Sequence, residues 1–253
     1  RELVDLLDYL AAHTFETSQV IHTSTNEPIS HWHQKPVIVK LFLEGNIMPV
    51  LPGTILTEVG RQMGKLHSLD APNYLPNSLS YGRESFQQVH EYMPDCSFGK
   101  WLDGIHAYVA AYSFEDLPKS LIHSDIFYSN VIVSKDLKTA RIMDFEEAAQ
   151  YYRIFDLGMA IIGLCENEKE IDLQKANLLL RGYQKNTQLS VMEKGALQAF
   201  TVYAAAAMAF WRHKNFNYVH PDANMYDHYA QLQVLADYIQ RVPKDTFLKI
   251  LEV

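Results

Sequence analysis

Long apolar runs, cysteines and positive charge are all scarce in this sequence of 253 residues. No segment reaches the roughly 18 uncharged apolar residues that a membrane-spanning helix needs, so no membrane span is expected. The formal net charge of -8 argues against binding to nucleic acid or to an anionic membrane surface. The only cysteines, Cys96 and Cys165, suggest no disulfide framework, which fits a reducing cytoplasm as the expected location.

The spacing of the apolar residues predicts an α+β fold. Residues 1–13 carry leucines at helical spacing and are predicted to form an amphipathic helix. Residues 18–44 alternate polar and β-branched side chains between turn signals at TNEP and KP, which predicts two or three antiparallel strands. The following chain is mostly helical in pattern. Helices are predicted over 55–68 with Thr54 as N-cap, over 98–113, from the S-x-x-E capping box of Ser190 and Glu193 to about Trp211, and over 223–241.

This pattern divides the chain into two parts. Residues 1–45 are expected to form a small β-containing part, and residues 46–253 a larger, mainly helical part with one β-hairpin. The hairpin is predicted in the segment NVIVSKDLKTARIMDF, where two short apolar stretches flank a polar turn near 135–138.

The hairpin is expected to bring distant polar side chains together. In the predicted register Asn130 faces Asp144, and opposed residues of an antiparallel pair lie about 4.5–5.5 Å apart on one face. Asp125 lies in the loop that leads to the same open end. Two carboxylates and an amide oxygen are hard ligands of the kind that suits Mg²⁺. The alternative for each residue alone is an ordinary turn position, which is common for Asp and Asn.

His123, Asp125 and Asn130 fit the pattern H-x-D-x-x-x-x-N, and Asp144 with Phe145 supplies a following D-F. This set resembles the catalytic centre of the protein-kinase-like phosphotransferases, and implies their bilobal fold. By that resemblance Asp125 accepts the proton of the substrate hydroxyl, and Asn130 and Asp144 hold magnesium ions that bridge the phosphates of ATP. His123 would pack the loop against Phe145.

The resemblance also places a nucleotide site. Phe42, Leu43 and Glu44 resemble the hinge between the lobes, whose backbone would bond adenine; a strand end before a glycine turn is the alternative. The chain contains no G-x-G-x-x-G, and Lys40 lies too close to the presumed hinge to be the family's strand lysine. Because the chain begins with Arg1 already inside a helical pattern, we expect a preceding segment to hold the loop and the lysine.

Two further features of the nucleotide side follow from the resemblance. Glu2 is the candidate glutamate partner of that lysine, and an exposed glutamate in a first helical turn is the alternative. Gly60 and Gly64 resemble glycines that permit close packing of the helix after the hinge.

The run MDFEEAAQYYRIFDLGMAIIG is similar to the small-molecule branch of this family, which includes the aminoglycoside, choline and homoserine kinases. Within it, Asp156 resembles a buried aspartate that braces the catalytic loop; an N-cap for a helix over 157–164 is the alternative. The stretches FLEG, HSDIFYSNV and RGYQKNTQLS, taken with this run, are most similar to the homoserine kinases.

A homoserine kinase would phosphorylate a primary hydroxyl of a substrate that also carries an amine and a carboxylate, each of which needs a partner when desolvated. Arg212 is the candidate for the carboxylate, with a snorkelling residue at a helix end as the alternative. Glu146 and Glu147 are the candidates for the amine. A choline, ethanolamine or aminoglycoside kinase is the main rival, since cationic substrates suit an acidic or aromatic pocket. A degenerate kinase that serves as a binding scaffold is the third hypothesis.

Overall fold

The computed structural model of the chain describes residues 2–113 and 115–252. Within these residues, no helix is both long enough and apolar enough to cross a bilayer. The helices are α1 (Glu2–Ala12), α2 (Gly53–Leu66), α3 (Gln88–Tyr92), α4 (Ser97–Ala110), α5 (Arg153–Leu164), α6 (Leu173–Tyr183), α7 (Val191–Lys214), α8 (Tyr229–Arg241) and α9 (Lys244–Phe247). The strands are β1 (Ser30–Trp32), β2 (Lys35–Val37), β3 (Lys119–Ile122), β4 (Val131–Val133), β5 (Ala140–Ile142), β6 (Ala149–Tyr152), β7 (Glu166–Asn167) and β8 (Glu170–Ile171).

Helix α1 follows the predicted amphipathic pattern. Its polar positions, among them Glu2, are exposed, whereas its apolar side chains pack into the main core. Burial of one apolar face is what holds a surface helix of this length in place. The buried side chains of α1 are Val4, Leu6, Leu7 and Leu10.

The predicted antiparallel strands follow α1, with one turn shifted. Residues 19–21 run antiparallel to 39–41, and β1 pairs with β2. The turn of the latter hairpin is formed by His33 and Gln34, at φ 45° and 63°, and not by KP as predicted. Positive φ at both central residues suits a two-residue hairpin loop, so Lys35 and Pro36 fall inside β2.

Helix α2 packs closely against α6, and two glycines permit this. A Cβ atom on Gly60 would collide with the carbonyl oxygen of Leu179, and one on Gly64 would lie 2.5 Å from the carbonyl oxygen of Tyr183. The close packing expected of these glycines is therefore present. The predicted cap of α2 is wrong, because Pro52 occupies the N-cap position and Thr54 lies within the first turn.

Helix α7 lies in the core, and most of its side chains are buried. It begins at the predicted capping box, in which the Ser190 hydroxyl accepts from the Glu193 amide at 3.2 Å and the Glu193 carboxylate accepts from the Ser190 amide at 2.7 Å. The helix continues past the predicted end at Trp211 and passes into one π-helical turn over Asn215–Val219. This extension carries the last turn of α7 to the edge of the site described below.

Strands β4 and β5 form the predicted hairpin, but the predicted register is wrong by one residue. Val131 pairs with Ile142, and the Met143 amide donates to the Asn130 carbonyl at 3.0 Å. The Ser134 amide donates to the carbonyl of Thr139, so residues 135–138 form the turn as predicted. A turn over these four residues places Asn130 opposite Met143, and the predicted pairing with Asp144 does not fit it. Asp144 therefore lies one position beyond the residue that faces Asn130.

Candidate active site

The loop between β3 and β4 carries the H-x-D-x-x-x-x-N pattern, and its backbone is held in an unusual conformation. Ser124 has a φ of 70°, in the left-handed region that non-glycine residues seldom adopt. Such a residue persists only where the surrounding contacts fix it. Here the amide of Ser124 donates to Asp156 Oδ1 at 2.6 Å, and the amide of His123 donates to Asp156 Oδ2 at 3.1 Å.

Asp156 thus accepts two backbone hydrogen bonds from this loop, for which the resemblance predicts a catalytic role. It is fully buried in the first turn of α5. Although burial opposes it, hydrogen bonds from His67 and from the loop backbone lower the pKa of Asp156 below its usual range, so the carboxylate is ionised. The alternative role as an N-cap is wrong, because Tyr152 occupies that position.

His123 is buried and links the loop to the segment before Asp144. Its Nδ1 accepts from the Asp125 amide at 3.2 Å, so Nε2 carries the proton and donates to the carbonyl of Met143 at 2.9 Å. Its ring meets the Phe145 ring edge to face, with centroids 4.7 Å apart. These contacts are those of a residue that orders the loop.

Asp125 and Asn130 are in direct contact. Nδ2 of Asn130 donates to the carbonyl of Asp125 at 2.8 Å and to Asp125 Oδ2 at 3.1 Å. The amide oxygen of Asn130 is therefore the atom that could bind a metal. Burial raises the pKa of Asp125, while the nearby His123, Asn130 and Arg212 oppose that rise.

Asp125 and Asp144 line one cavity of about 390 Å³, which we call the acidic cavity. Asp144 adopts a left-handed φ of 71° and is exposed. Four carboxylates border this space, and burial together with mutual repulsion raises the pKa of both Glu146 and Glu147. The residues that line the acidic cavity are Tyr81, Asp125, Asp144, Glu146, Glu147, Met208 and Trp211.

The acidic cavity has the chemistry of a divalent-cation site. Its surplus of negative charge would be relieved by a bound cation, and its donors are the oxygen ligands that Mg²⁺ prefers. The described residues contain no cluster of three or more His, Cys, Asp or Glu side chains that could hold a metal by themselves. One carboxylate from Asp144 and one amide oxygen from Asn130 fit an ion that takes the rest of its ligands from water and phosphate.

Two residues from the N-terminal part border this site. Lys40 Nζ lies 3.2 Å from Glu146 Oε1, so it offsets part of the negative charge beside Asp144. Glu2 is exposed and lines an adjacent cleft together with Phe145, Glu146 and Glu147. The pairing of Glu2 with a lysine stays a prediction.

Arg212 lines a second cavity, which Asp125 also borders. It is half-buried in the last turn of α7, and burial lowers its pKa, while Glu166 and Asp125 oppose that shift. Its guanidinium reaches the carbonyl of His228 at 3.4 Å. The residues that line this second cavity, here called the Arg212 cavity, include Asp125, Ser129, Met208, Trp211, Arg212, Phe216, Met225 and His228.

The predicted hinge is exposed next to the hairpin. Phe42 is 86% exposed, Leu43 is half-buried and Glu44 is exposed. Just after them, the amide of Asn46 donates to the carbonyl of Val133 at 2.8 Å, and the carbonyl of Asn46 accepts from the amide of Val133 at 2.9 Å. This pairing fixes the hinge segment beside β4, the strand that follows the catalytic loop.

Sequence reasoning missed two residues of the site. His67, to which no role was assigned, is buried, with Nε2 2.9 Å from Asp156 Oδ2 and Nδ1 3.1 Å from the Tyr183 hydroxyl. Tyr81 lines the acidic cavity and donates to Ser124. No local pattern marks either residue, because each acts through a partner that is distant in sequence.

The comparisons agree with this geometry. Residues 1–186 match the model of the phosphotransferase enzyme family. The chain belongs to that family. The predicted class of enzyme, a phosphotransferase that acts on a hydroxyl group, is thereby confirmed.

Relatives in this phosphotransferase family narrow the class to kinases of small molecules. The homoserine kinase of Zymomonas mobilis subsp. mobilis is 26% identical over 233 residues, which cover 86% of this chain and 70% of that protein. A choline/ethanolamine kinase family protein from Mesorhizobium loti shares the fold with a TM-score of 0.71 at 15% identity, over 99% of this chain and 83% of that one. The amicoumacin kinase hAmiN, solved with AMP-PNP, Ca²⁺ and Ami, has a TM-score of 0.70 at 13% identity, over 95% of this chain and 77% of that one. These structures confirm the predicted α+β, protein-kinase-like fold.

Proposed function

We propose that this phosphotransferase is an ATP-dependent kinase that transfers the γ-phosphoryl group of ATP to the hydroxyl of homoserine. The observation that carries the proposal is the position of Asp125, which borders both the acidic cavity and the Arg212 cavity. A hydroxylated amino acid presents one cation and one anion, and the two cavities offer a partner for each. The similarity to the homoserine kinase of Zymomonas mobilis supports the same substrate.

Asp125 is proposed to orient the acceptor hydroxyl and to accept its proton. Asn130 Nδ2 donates to Oδ2 of this carboxylate, which fixes its rotation and leaves Oδ1 for the substrate. The left-handed Ser124 and its bonds to Asp156 hold the backbone from which the Asp125 side chain projects. Such positioning is the main demand of phosphoryl transfer, in which the nucleophile must lie in line with the leaving oxygen.

Asp144 and the amide oxygen of Asn130 are proposed to hold Mg²⁺. When bound, the ion would bridge the nucleotide phosphates and offset their charge. Backbone groups of Phe42, Leu43 and Glu44 are proposed to bind adenine, in agreement with the exposure of this segment beside β4.

The acceptor is proposed to lie against Met208 and Trp211, which line both cavities. Glu147 is the candidate partner of its ammonium group, since it lines the acidic cavity and is partly desolvated. Arg212 is the candidate partner of its carboxylate. No carboxylate of the described residues lies within 4.0 Å of the Arg212 guanidinium, so this cation is available to an anionic group of a ligand.

A kinase for choline, ethanolamine or an aminoglycoside is the second candidate. The carboxylates of the acidic cavity, with Tyr81 and Trp211 in its wall, offer charge and aromatic faces to a cation. The fold shared with a choline/ethanolamine kinase family protein is compatible with it. The positive charge of Arg212 beside Asp125 argues against it, because a cationic acceptor would be repelled there.

A substrate panel separates these candidates. The native protein would be incubated with ATP and Mg²⁺ and with homoserine, choline, ethanolamine or an aminoglycoside, and ADP release and the phosphorylated product would be measured. We expect the highest kcat/KM for homoserine. Arg212→Met should lower that value by about a hundredfold, because the substrate carboxylate loses its charged partner. The value for ethanolamine should not fall and should rise, because a repelling charge is removed.

The control variant is Arg181→Met, which removes an exposed arginine of α6 away from both cavities. It should leave every kcat/KM value unchanged. A higher kcat/KM for choline or ethanolamine than for homoserine would contradict the proposed substrate and favour the second candidate. Absence of turnover with all substrates would favour the binding scaffold.

A further inference from the structure

Tyr81 lies between the backbone segments that carry Asp125 and Glu147, the two carboxylates that the proposed function uses. Its ring is buried, with 3% of its surface exposed, and lines the acidic cavity beside Asp125 and Glu147. Its hydroxyl lies 2.9 Å from the carbonyl of Ser124 and 2.9 Å from the Ser124 hydroxyl. Neither the family pattern nor the sequence spacing assigns this residue a role.

The direction of these hydrogen bonds follows from the neighbouring groups. The hydroxyl of Ser124 donates its proton to the carbonyl of Glu147 at 2.7 Å. Tyr81 must therefore be the donor towards Ser124, and burial raises the pKa of Tyr81 far above its usual value, so the proton is retained. The single proton of Tyr81 is shared between the carbonyl and the hydroxyl of Ser124, and that hydroxyl in turn donates to the backbone carbonyl of Glu147.

Among the residues joined by these hydrogen bonds, Ser124 has the backbone conformation that must be stabilised by its neighbours. A φ of 70° is unfavourable for any residue other than glycine, and Asp125 is the next residue after Ser124. Asp156 holds the amide of Ser124, whereas Tyr81 holds its carbonyl. The peptide group between Ser124 and Asp125 is thus fixed by the tyrosine hydroxyl.

The backbone next to Tyr81 is anchored by other contacts. The amide of Gly82 donates to the carbonyl of Leu79 at 3.0 Å, and the amide of Arg83 donates to the hydroxyl of the buried Tyr203 at 2.8 Å. Removal of the Tyr81 hydroxyl should therefore leave the ring in place. A phenylalanine at this position tests the hydrogen bond alone.

We propose that Tyr81 is a positioning residue that, through Ser124, sets the placement of Asp125 relative to Glu147; the proposal rests on the function proposed above. Without the hydroxyl, Ser124 can relax towards an ordinary φ, and such a change would turn Asp125 away from the acceptor hydroxyl. The same change would move the carbonyl of Glu147. Both phosphoryl transfer and acceptor binding would then weaken, whereas the nucleotide site would not change.

Tyr81→Phe is the variant that tests this proposal. We expect kcat to fall by about ten- to a hundredfold and the acceptor KM to rise, because small misplacements of a reacting group have effects of this size. The Kd of Mg·ADP, measured by calorimetry, should stay within about twofold of the wild-type value. Ser124→Ala should weaken the same step, and the two changes combined should cost less than the product of the single effects.

Tyr92→Phe is the matched control, since the Tyr92 hydroxyl bonds His213 Nδ1 at 3.2 Å and the residue lines neither cavity. It should leave both kcat and acceptor KM unchanged. Wild-type values of kcat and acceptor KM in Tyr81→Phe would overturn the proposal. So would a fall in activity that is matched by an equal loss of Mg·ADP affinity.

Amide hydrogen exchange over residues 121–126 separates this proposal from the proposed function. If the wild-type protein turns over none of the acceptors, the kinase assignment is rejected. The role of Tyr81 in holding the loop is then decided by the exchange measurement alone. In Tyr81→Phe these amides should exchange about tenfold faster or more, while Tyr92→Phe should match the wild type. Unchanged exchange in Tyr81→Phe would show that its hydroxyl does not hold the loop.

Discussion

His67 Nε2 lies 2.9 Å from Asp156 Oδ2, although the two residues are 89 positions apart in the sequence. Both side chains are fully buried. The carboxylate of Asp156 also accepts hydrogen bonds from the backbone amides of His123 and Ser124. The end of α2, the start of α5 and the catalytic loop therefore meet at one carboxylate.

Asp156→Asn should affect both stability and catalysis. The amide cannot accept as many hydrogen bonds as the carboxylate, and loss of a buried charged partner costs about 3 kcal/mol of unfolding free energy. The loop would lose part of its support, so kcat should fall at least tenfold. Chemical denaturation and steady-state kinetics measure the two effects.

Asp172→Asn is the control for this variant, because Asp172 also accepts two backbone amides, those of Gln174 and Lys175, but at the N-cap of α6. Asparagine is as good an N-cap as aspartate, so stability should change little and kcat should not change. Equal losses of kcat in both variants would mean that the effect of Asp156→Asn does not come from its hydrogen bonds to the loop that carries Asp125.

The same carboxylate predicts a pH dependence of stability. The pKa of Asp156 is lower in the folded protein than in the unfolded chain, where an aspartate titrates at about 3.9. Its contribution is therefore fully present above that value and is lost as the pH falls through the folded-state pKa. Between about pH 5 and pH 2 the unfolding free energy of the wild type should decline more steeply than that of Asp156→Asn. Parallel curves for the two proteins would contradict the assignment.

Gly60 and Gly104 offer a paired test of the packing that places His67. Gly60→Ala should destabilise the protein by about 1–3 kcal/mol or more, because the new methyl group meets the backbone of α6. Gly104→Ala, in α4, meets no atom within 4 Å and should stabilise the helix by up to about 1 kcal/mol. Thermal unfolding of both variants gives the comparison, and equal effects would contradict the close contact of α2 with α6.

Asp144→Asn should weaken metal-dependent nucleotide binding. The proposed ligand loses its charge, so the Mg²⁺ concentration needed for half-maximal binding of ADP should rise by about tenfold or more. Asp136→Asn changes an exposed aspartate in the turn of the same hairpin and should have no effect. An unchanged Mg²⁺ requirement in Asp144→Asn would remove this residue from the proposed ligands.

The local parts of the fold could be predicted from sequence because they depend on neighbouring residues. The capping box of Ser190 and Glu193 and the hairpin of β4 and β5 are of this kind. The predicted register of that hairpin is one residue off, although the predicted turn over 135–138 places Ser134 opposite Thr139. Within that turn Leu137 adopts a φ of 56°. Leucine seldom adopts such a backbone conformation, so the sequence of the loop does not indicate it.

The site shows the same division. The order of His123, Asp125, Asn130 and Asp144 indicates the chemistry, because the catalytic loop and the hairpin are continuous in sequence. Tyr81 reaches this loop only through the tertiary fold, across 43 positions. Contacts of this kind depend on how the helices pack, and no periodic pattern records them.

Asp125→Asn, assayed with homoserine, tests the central claim most directly. The variant keeps the size of the side chain and removes the group proposed to accept the hydroxyl proton. Single-turnover transfer from ATP to homoserine should slow by about 10²–10⁴-fold, with the Kd of Mg·ADP nearly unchanged. Transfer at the wild-type rate in Asp125→Asn, or a wild-type protein that phosphorylates choline and not homoserine, would contradict the account.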